Sequence, residues 1–362
     1  MQDLFQAMAV DSRFELRVHY LEMAAPDTYW DQASLPDYAE VLPGKWFWLM
    51  GGRIHVNPQA AQRILTHRPE VIVVTGYSGI TNQLVMRALR RRKIPWIFYG
   101  ERPGLKRRGV LGQALRAVAR HPAVRWPSAI AAVGTSAVAQ YQVLAPAHCP
   151  VENIPYCCNL QPFLSIDRGL RFEGPIRFLY CGQLIERKGV DLLLDAYLKL
   201  SRGCSSTTLT FVGEGPLRDE LSRRVPGDLQ ERIHFAGFQP VNQLPKWFAN
   251  SDVLVLPSRH DGWGVVVNQA IAAGLAVVCS DAVGAAKDLV EDGQSGLIFP
   301  AGDGSALANC MAQLASDPEK VKCMGSCSRE LAAAWTPEQA VERWYNICSQ
   351  VVVNCQHEMC QA

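Results

Sequence analysis

The chain has 362 residues, 48% of them apolar and 19% charged, with a formal net charge of +2 at neutral pH. That length allows two domains at about 100–200 residues each, and the composition is that of a globular protein, not a disordered one. No uninterrupted apolar run reaches the roughly 18–20 residues of a membrane-spanning helix, and the net charge by itself selects no partner.

The opening stretch, MQDLFQAMAVDSRFEL, carries an acid at position 3 and lacks the basic region, apolar core and cleavage site of a signal peptide. The reading that follows is a reducing, cytoplasmic location. QDLFQAMAV has the pattern of a helix, and no strand with a Gly-rich turn precedes it. Either a first strand is missing or the domain is atypical. FELRVHYLE (14–22), VIVVTG (71–76), WIFYGE (96–101), AIAAVG (129–134) and VENIPYCC (151–158) then read as strands. QLVMRALRRR (83–92) and LGQALRAVAR (111–120) read as helices. Residues 87–125 hold twelve basic side chains, at 87, 90–93, 102, 106–108, 116, 120 and 125, against the single acid Glu101. Trp96, Phe98, Leu105, Val110 and Leu111 are interleaved with them. This is either a solvated helix face with its loop or a docking surface for anionic lipid or an anionic acceptor. Nucleic acid is not expected, because no binding module surrounds the cluster.

A polar stretch at 161–174 reads as a linker. Beyond it the apolar runs are short, β-branched and evenly spaced: IRFLYCG (176–182), LTFVGEG (209–215), IHFAGF (233–238), VLVLPS (253–258), AVVCSD (276–281) and GLIFP (296–300). Helical segments such as VDLLLDAYLKL (190–200) and LRDELSRRV (217–225) lie between them. Nearly continuous apolar strands alternating with helices predict a parallel sheet covered on both faces, with ligands at the carboxyl ends of its strands. From Thr336, a threonine cap and a proline in the first turn predict a final helix. The twelve cysteines are scattered and do not make a disulfide framework. Cys181 and Cys279 read as small core residues, and Cys157–Cys158 as packing. The tail residues Cys355, His357 and Cys360 lack a fourth ligand at a zinc spacing.

Three turns between strand and helix carry the chemistry. Gly182–Gln183 is followed by Arg187, Lys188 and Gly189, so that the backbone can approach a ligand and a cation can reach a phosphate. Gly213–Glu214–Gly215–Pro216 is a tight turn into a helix. Gly262 and Gly264 leave backbone amides at a helix N-terminus, which favours phosphate groups. Each turn alone is ordinary strand-to-helix geometry. Together, with Asp261 eight positions before the amide Gln269, they point to a nucleotide-diphosphate ligand. Asn268, beside it, reads as helix surface. No P-loop pattern is present.

GQLIERKGVDLLLDA, FVGEGPLRDEL, IHFAGF, VLVLPS and DGWGVVVNQAIAAGLAVVCSDAVGAAKDLVEDGQSGLIFPAGD together resemble a family-4 retaining glycosyltransferase of GT-B architecture. The resemblance is specific over 176–303 and general in the first half. It implies an α/β fold of two facing Rossmann-like domains with parallel sheets: an acceptor domain at 1–160, a donor domain at 175–335 after the 161–174 linker, and a helix at 336–362 crossing back to the first domain. It further implies a nucleotide-sugar donor, a hydroxyl acceptor, and no metal or other cofactor. Lys188 falls on the family's phosphate-binding lysine and Gly182 on the glycine beside the donor phosphates, with Gly213 in the next strand-end turn. Gly237 and Phe238 fall where the base is contacted. Asp261 and Gln269 fall on an acid-x7-acid pair, the first member for the transferred sugar and the second for the ribose. Gly262 and the amides of Trp263, Gly264 and Val265 would face the diphosphate.

This chain departs from the pattern at several positions. Asp261 is one methylene shorter than the commoner Glu, and Gln269 cannot act as a charged bidentate acceptor. Gln183 stands where many members have an arginine, a charge that Arg187 could supply. No histidine follows WIFYG; Glu101 occupies that neighbourhood, either as a sugar or acceptor contact or as a partner of nearby arginines. These departures leave a second reading open, a non-catalytic member that binds a nucleotide or a partner. A nucleotide-sugar epimerase would need further acid and base side chains that the sequence does not reveal.

Overall fold

The computed structural model describes residues 1–22, 35–49, 52–103, 110–168, 174–203 and 207–361. The chain divides into two compact units, one of residues 2–155 with 340–362 and one of residues 156–339 with Met1. Among the described residues no helix is long and apolar enough to cross a membrane.

The first unit contains α1 (Gln2–Val10), β1 (Val18–Tyr20), β2 (Ala39–Val41), β3 (Lys45–Leu49), β4 (Gly52–Val56), α2 (Ala60–Thr66), β5 (Ile72–Thr75), α3 (Ile80–Arg91), β6 (Trp96–Gly100), α4 (Val110–Arg125), β7 (Ala129–Ala132), α5 (Thr135–Leu144) and β8 (Val151–Asn153). β5–β8 form a four-stranded parallel sheet in that order. Its strands lie on Val85, Met86, Leu89, Trp96, Phe98, Ile130 and Tyr141, all buried. FELRVHYLE does not join this sheet. Only Val18–Tyr20 is strand, and it pairs in parallel with β2 as a separate two-stranded sheet. β3 and β4 form an antiparallel hairpin that the alternation rules miss, because Trp46, Phe47 and Trp48 are 52%, 43% and 61% exposed.

The second unit contains α6 (Gln161–Leu164), β9 (Ile176–Cys181), α7 (Val190–Ser201), β10 (Thr207–Val212), α8 (Arg218–Arg223), β11 (Ile233–Gly237), α9 (Leu244–Ala249), β12 (Val253–Leu256), α10 (Val265–Ala272), β13 (Ala276–Ser280), α11 (Ala286–Leu289), β14 (Gly296–Phe299), α12 (Gly304–Ala315) and α13 (Pro318–Ala332). Its six strands are all parallel, in the order β11-β10-β9-β12-β13-β14. Every residue of β12 and β13 is buried, which explains their unbroken apolar sequence. α7 packs on α12 and α10 on α13. The chain runs outward from β9 in one direction and from β12 in the other, so right-handed crossovers place α7 and α10 on opposite faces.

The stretch read as a linker is partly built into this unit. Phe163 is buried against Phe248, with ring centroids 5.0 Å apart. Arg168 donates to the carbonyls of Ala273 (2.7 Å), Ser251 (2.6 Å) and Phe248 (3.1 Å). These carbonyls lie at the ends of α9 and α10, where helices leave acceptors unsatisfied and favour a cation. Residues 169–173 lie outside the described residues.

α14 (Pro337–Gln361) follows the Thr336 cap, whose hydroxyl accepts from Gln339 N at 3.4 Å. Val341, Trp344, Ile347 and Val351 are its buried face, and Trp344 meets Tyr99 edge-on at 5.1 Å within the first unit. Arg13 binds Glu342 and lies 4.4 Å over the Tyr345 ring. Among the described residues ten cysteines are free thiols. Cys157 and Cys158 are buried; Cys279 is buried and Cys181 half-buried at a strand end, and burial pushes both of those thiols up to about 12. The side chain of Cys360 lies outside the described residues.

One clamp sets the shape of the second sheet. Asp252, immediately before β12, accepts from Arg177 N, Nε and Nη2 at 2.9, 2.8 and 2.7 Å, and donates its own amide to Arg177 O. The side chain of Asp252 is 3% exposed and that of Arg177 27%. Asp252 raises the Arg177 guanidinium above its ordinary pKa through these hydrogen bonds. Asp252→Asn is expected to lower the unfolding free energy by about 3 kcal/mol, the low end for breaking a buried pair. Urea denaturation followed by circular dichroism measures it; a change within experimental error would show the clamp to be dispensable.

Candidate functional site

β9 and β12 are neighbours at the point where strand order reverses, the position at which open α/β sheets bind ligands. Their pairing covers only Phe178↔Val253 and Leu179↔Leu254, although both strands run on, so the ladder stops short of the carboxyl ends. Two loops leave from there, 182–189 after β9 and 257–264 after β12.

The loops are sewn together through backbone atoms. Arg259 N and His260 N donate to Arg187 O at 2.9 and 3.4 Å. The Arg259 guanidinium donates to Glu186 O at 2.7 Å and grips Asp191 through two bonds of 2.7 and 2.6 Å. That contact holds the Asp191 carboxyl below the usual carboxylate range. Gly189 has φ +69°, and a Cβ there would lie 2.1 Å from Pro257 O. Only glycine fits both the left-handed backbone and the close approach.

This seam presents Lys188 to Asp261. Lys188 Nζ donates to Asp261 Oδ2 at 2.5 Å, with the two side chains 15% and 10% exposed. Arg187 Nη1 donates to His260 O at 2.9 Å and stands 4.0 Å from Asp261 Oδ1. Ser258, fully buried, approaches Asp261 Oδ2 at 3.5 Å through its hydroxyl. The backbone of Asp261 is pinned as well: its amide donates to Ala282 O and its carbonyl accepts from Gly284 N, both at 3.1 Å.

The neighbouring strand ends converge on the same region. Gly182 N donates to Val212 O at 2.9 Å and Gly213 N to Gly237 O at 2.8 Å. A Cβ on Gly213, φ +139°, would lie 1.9 Å from Gly182 O. Gln183 is exposed, and its carbonyl accepts from the buried Tyr180 hydroxyl at 2.7 Å. Gly237 ends β11 and Phe238 beyond it is 47% exposed. On the other side Gly262 and Trp263 lead to Gly264, which caps α10 with φ +94° and no side-chain cap. Helix geometry leaves the amides of Val265 and Val266 without an intrahelical acceptor, while Val267 N donates to Gly264 O at 2.9 Å. Gln269 lies half-buried on α10.

One outcome differs from the expectations, and two residues were missed. Asn268 is not helix surface but fully buried, and its Oδ1 accepts from Trp263 Nε1 at 2.9 Å. A buried tryptophan needs an acceptor for its N–H, so a lone polar residue in an apolar helix after Trp263 was the available signal. Arg259 and Asp191, which fix the two loops, carried no signal beyond their charge. Glu101 belongs to the first unit, exposed at the end of β6, where its carbonyl accepts from the Tyr141 hydroxyl at 2.9 Å.

Comparison with known proteins shows likeness to glycosyltransferases in sequence. Residues 175–317 match the model of the family Glycosyl transferases group 1. An alpha-D-kanosaminyltransferase of Streptomyces kanamyceticus is 29% identical over 157 residues, 43% of this chain and 40% of that one. A GDP-mannose-dependent alpha-(1-6)-phosphatidylinositol monomannoside mannosyltransferase of Mycolicibacterium smegmatis is 33% identical over 159 residues, 41% of each chain. The match therefore spans about two fifths of the length of these curated relatives. Among solved structures, a sucrose-phosphate synthase from Thermosynechococcus elongatus superposes with a TM-score of 0.66 over 82% of this chain and 77% of its own, at 22% identity. Anabaena Alr3699/HepE in complex with UDP gives 0.67 over 86% of both chains, at 19% identity. The fold is GT-B. The domain matched at 175–317 is the one whose strand ends carry the Lys188–Asp261 pair and the glycine turns.

The loop seam makes a specific demand at one position. Gly189→Ala is expected to cost about 2–4 kcal/mol, combining the left-handed backbone penalty with overpacking against Pro257. Thermal and urea unfolding of the purified variant check this, and a loss below 1 kcal/mol, well under the overpacking scale, would show that the two loops separate freely.

Proposed function

We propose that this protein is a retaining glycosyltransferase that moves a sugar from a nucleotide-diphosphate-sugar to a hydroxyl of a saccharide or lipid-linked acceptor without a metal ion. The observation that carries the reading is the Lys188–Asp261 pair at the sheet's reversal point, flanked by the amino end of α10. A cation and helix-end amides suit a diphosphate; a pinned carboxylate suits sugar hydroxyls.

In the reaction, the bond from the anomeric carbon to the diphosphate oxygen breaks. The acceptor oxygen bonds to that carbon on the same face, and its proton passes to a leaving phosphate oxygen. No protein base is required. The contribution of the chain is electrostatic, since Lys188 and the amides near Gly264 stabilise the negative charge that grows on the diphosphate. Donor binding exchanges one pair for two contacts, with Lys188 turning from Asp261 to phosphate and Asp261 turning to the sugar. Gln183, Arg187, Gly182, Gly213, Gly237, Phe238 and Gln269 are assigned to the donor's phosphates, base and ribose, and Glu101 to the acceptor side.

Acceptor chemistry is supported by the basic surface of the first unit. Arg87, Arg90 and Arg91 lie on α3 and Arg116, Arg120 and Arg125 on α4. Leu115 and Val118 stand among the α4 cations at 61% and 72% exposure; Lys106, Arg107 and Arg108 lie outside the described residues. Exposed apolar side chains among cations suit peripheral attachment to an anionic membrane surface, and we assign the protein to the cytoplasmic face of such a membrane. The neutral Gln269 favours a second reading, a nucleotide-binding module without turnover.

Lys188→Ala is expected to lower kcat/KM by about 10²-fold or more, the scale of losing one preorganised donor at a developing oxyanion. A panel of UDP-, GDP- and ADP-sugars read by thermal shift finds the donor to use. Asp261→Asn should lower turnover yet leave nucleoside-diphosphate binding unchanged or up to about tenfold tighter, because a carboxylate no longer competes with phosphate for Lys188. Nucleotide binding with no transfer in the parent chain would select the module reading. A third measurement, co-sedimentation with liposomes of rising anionic-lipid content, should show binding that salt weakens. No binding at low salt would remove the membrane assignment.

A further inference from the structure

The first unit holds a cluster that the transfer reaction does not use. His19 lies on β1, Glu40 faces it directly across the ladder on β2, and His67 follows the last turn of α2. One ligand atom of each lies within 4.8 Å of the other two. His19 Nδ1 and Glu40 Oε1 are 3.0 Å apart, and the His19 and His67 rings stand 5.9 Å apart at 38°. Glu40 Oε2 accepts from Arg63 Nη1 at 2.9 Å, which leaves Oε1 turned to the imidazoles.

We infer that His19, Glu40 and His67 form a binding site for one divalent ion of the zinc class, stapling the β1–β2 pair to α2. Two imidazole nitrogens and one carboxylate oxygen suit Zn²⁺, Ni²⁺, Co²⁺ or Cu²⁺ and not Mg²⁺ or Ca²⁺, which take all-oxygen shells. Zinc bonds of about 2.0–2.2 Å at tetrahedral angles place ligand atoms about 3.4 Å apart, so the His19–Glu40 pair opens slightly from its 3.0 Å hydrogen-bond separation to take the ion. Any wider gap in the cluster involves His67, whose ring is exposed and turns toward the ion. Arg63 is the outer partner that orients the carboxylate. Its positive charge opposes the ion, but its side chain is 45% exposed and solvent screens it.

The local fold gives the ion a structural role. β1 and β2 have three residues each and form a sheet apart from the four-stranded one, and a lone two-stranded pair is marginal in water. α2 is firmly seated, with Ala60 buried and Ala61, Ile64 and Leu65 packed on the core. A shared ion couples the weak element to the strong one.

The test uses the full chain, without an affinity tag, stripped with EDTA and titrated with Zn²⁺ by calorimetry, with Co²⁺ absorption in parallel. One equivalent of zinc is expected to bind and to raise Tm. Cobalt should give d–d bands without a thiolate charge-transfer band. His67→Ala, at an exposed position that folding tolerates, should weaken zinc at least about tenfold, and Glu40→Gln should do the same. The inference is overturned by no binding at micromolar zinc or by parent-like affinity in both variants. A thiolate band would overturn it too, placing the ion at cysteines.

Discussion

β9 and β12 are tied at one end and released at the other, and the second unit of the molecule depends on that asymmetry. The buried Asp252 carboxylate takes three hydrogen bonds from Arg177 at the amino ends. Two residues later the ladder between the strands stops at Leu179 and Leu254. A parallel sheet that reverses direction has no crossover helix at its midline, so the space above those strands is filled by loops. Here the loops meet at a distance only glycine allows, with Gly189 against the carbonyl of Pro257. Lys188 precedes that contact in the chain, and its position follows from it.

The electrostatics of the site rest on how the cations are committed. Arg259 is spent on Asp191 and Glu186 O, and Arg177 on Asp252. Arg187, 40% exposed, shares its charge among the His260 carbonyl, Asp261 at 4.0 Å and solvent. Lys188 is held by a single carboxylate in a mostly buried setting. An ion pair of this kind adds little net stability, since desolvation offsets much of the Coulomb gain. On the proposed reading its value lies in keeping a lysine in the loop after β9, where phosphate can claim it.

Much of this was legible in the residues and some was not. β12 and β13 could be read because strands buried on both faces are apolar throughout, their neighbours from β-branched and aromatic runs between turns, and the Gly182, Lys188 and Asp261 turns because turn chemistry is local. The β3–β4 hairpin escaped because Trp46, Phe47 and Trp48 break the alternation that marks a half-buried strand. Arg168 reads as a cation in a polar stretch; its role is set by carbonyls at Phe248, Ser251 and Ala273, distant in the chain. Asn268 was misplaced because its partner, the Trp263 N–H, becomes buried only once α10 packs. In each case the missing information was tertiary: a hydrogen-bond partner or a neighbour that no window of sequence contains.

The aspartate at position 261 is better understood from its backbone than from its side chain. An Asp in place of Glu shortens the reach of the carboxylate, and a mobile loop could make up the difference by moving. This loop has no such freedom: Asp261 forms a bridge with Val283, its amide and carbonyl are both bonded, and Gly264 three residues later is fixed as the cap of α10. The adjustment therefore falls to the partner with rotatable length, Lys188, whose four-carbon stem reaches the carboxylate at 2.5 Å. A short acid on a rigid loop and a long cation on the facing one make a pair that can part without moving either backbone.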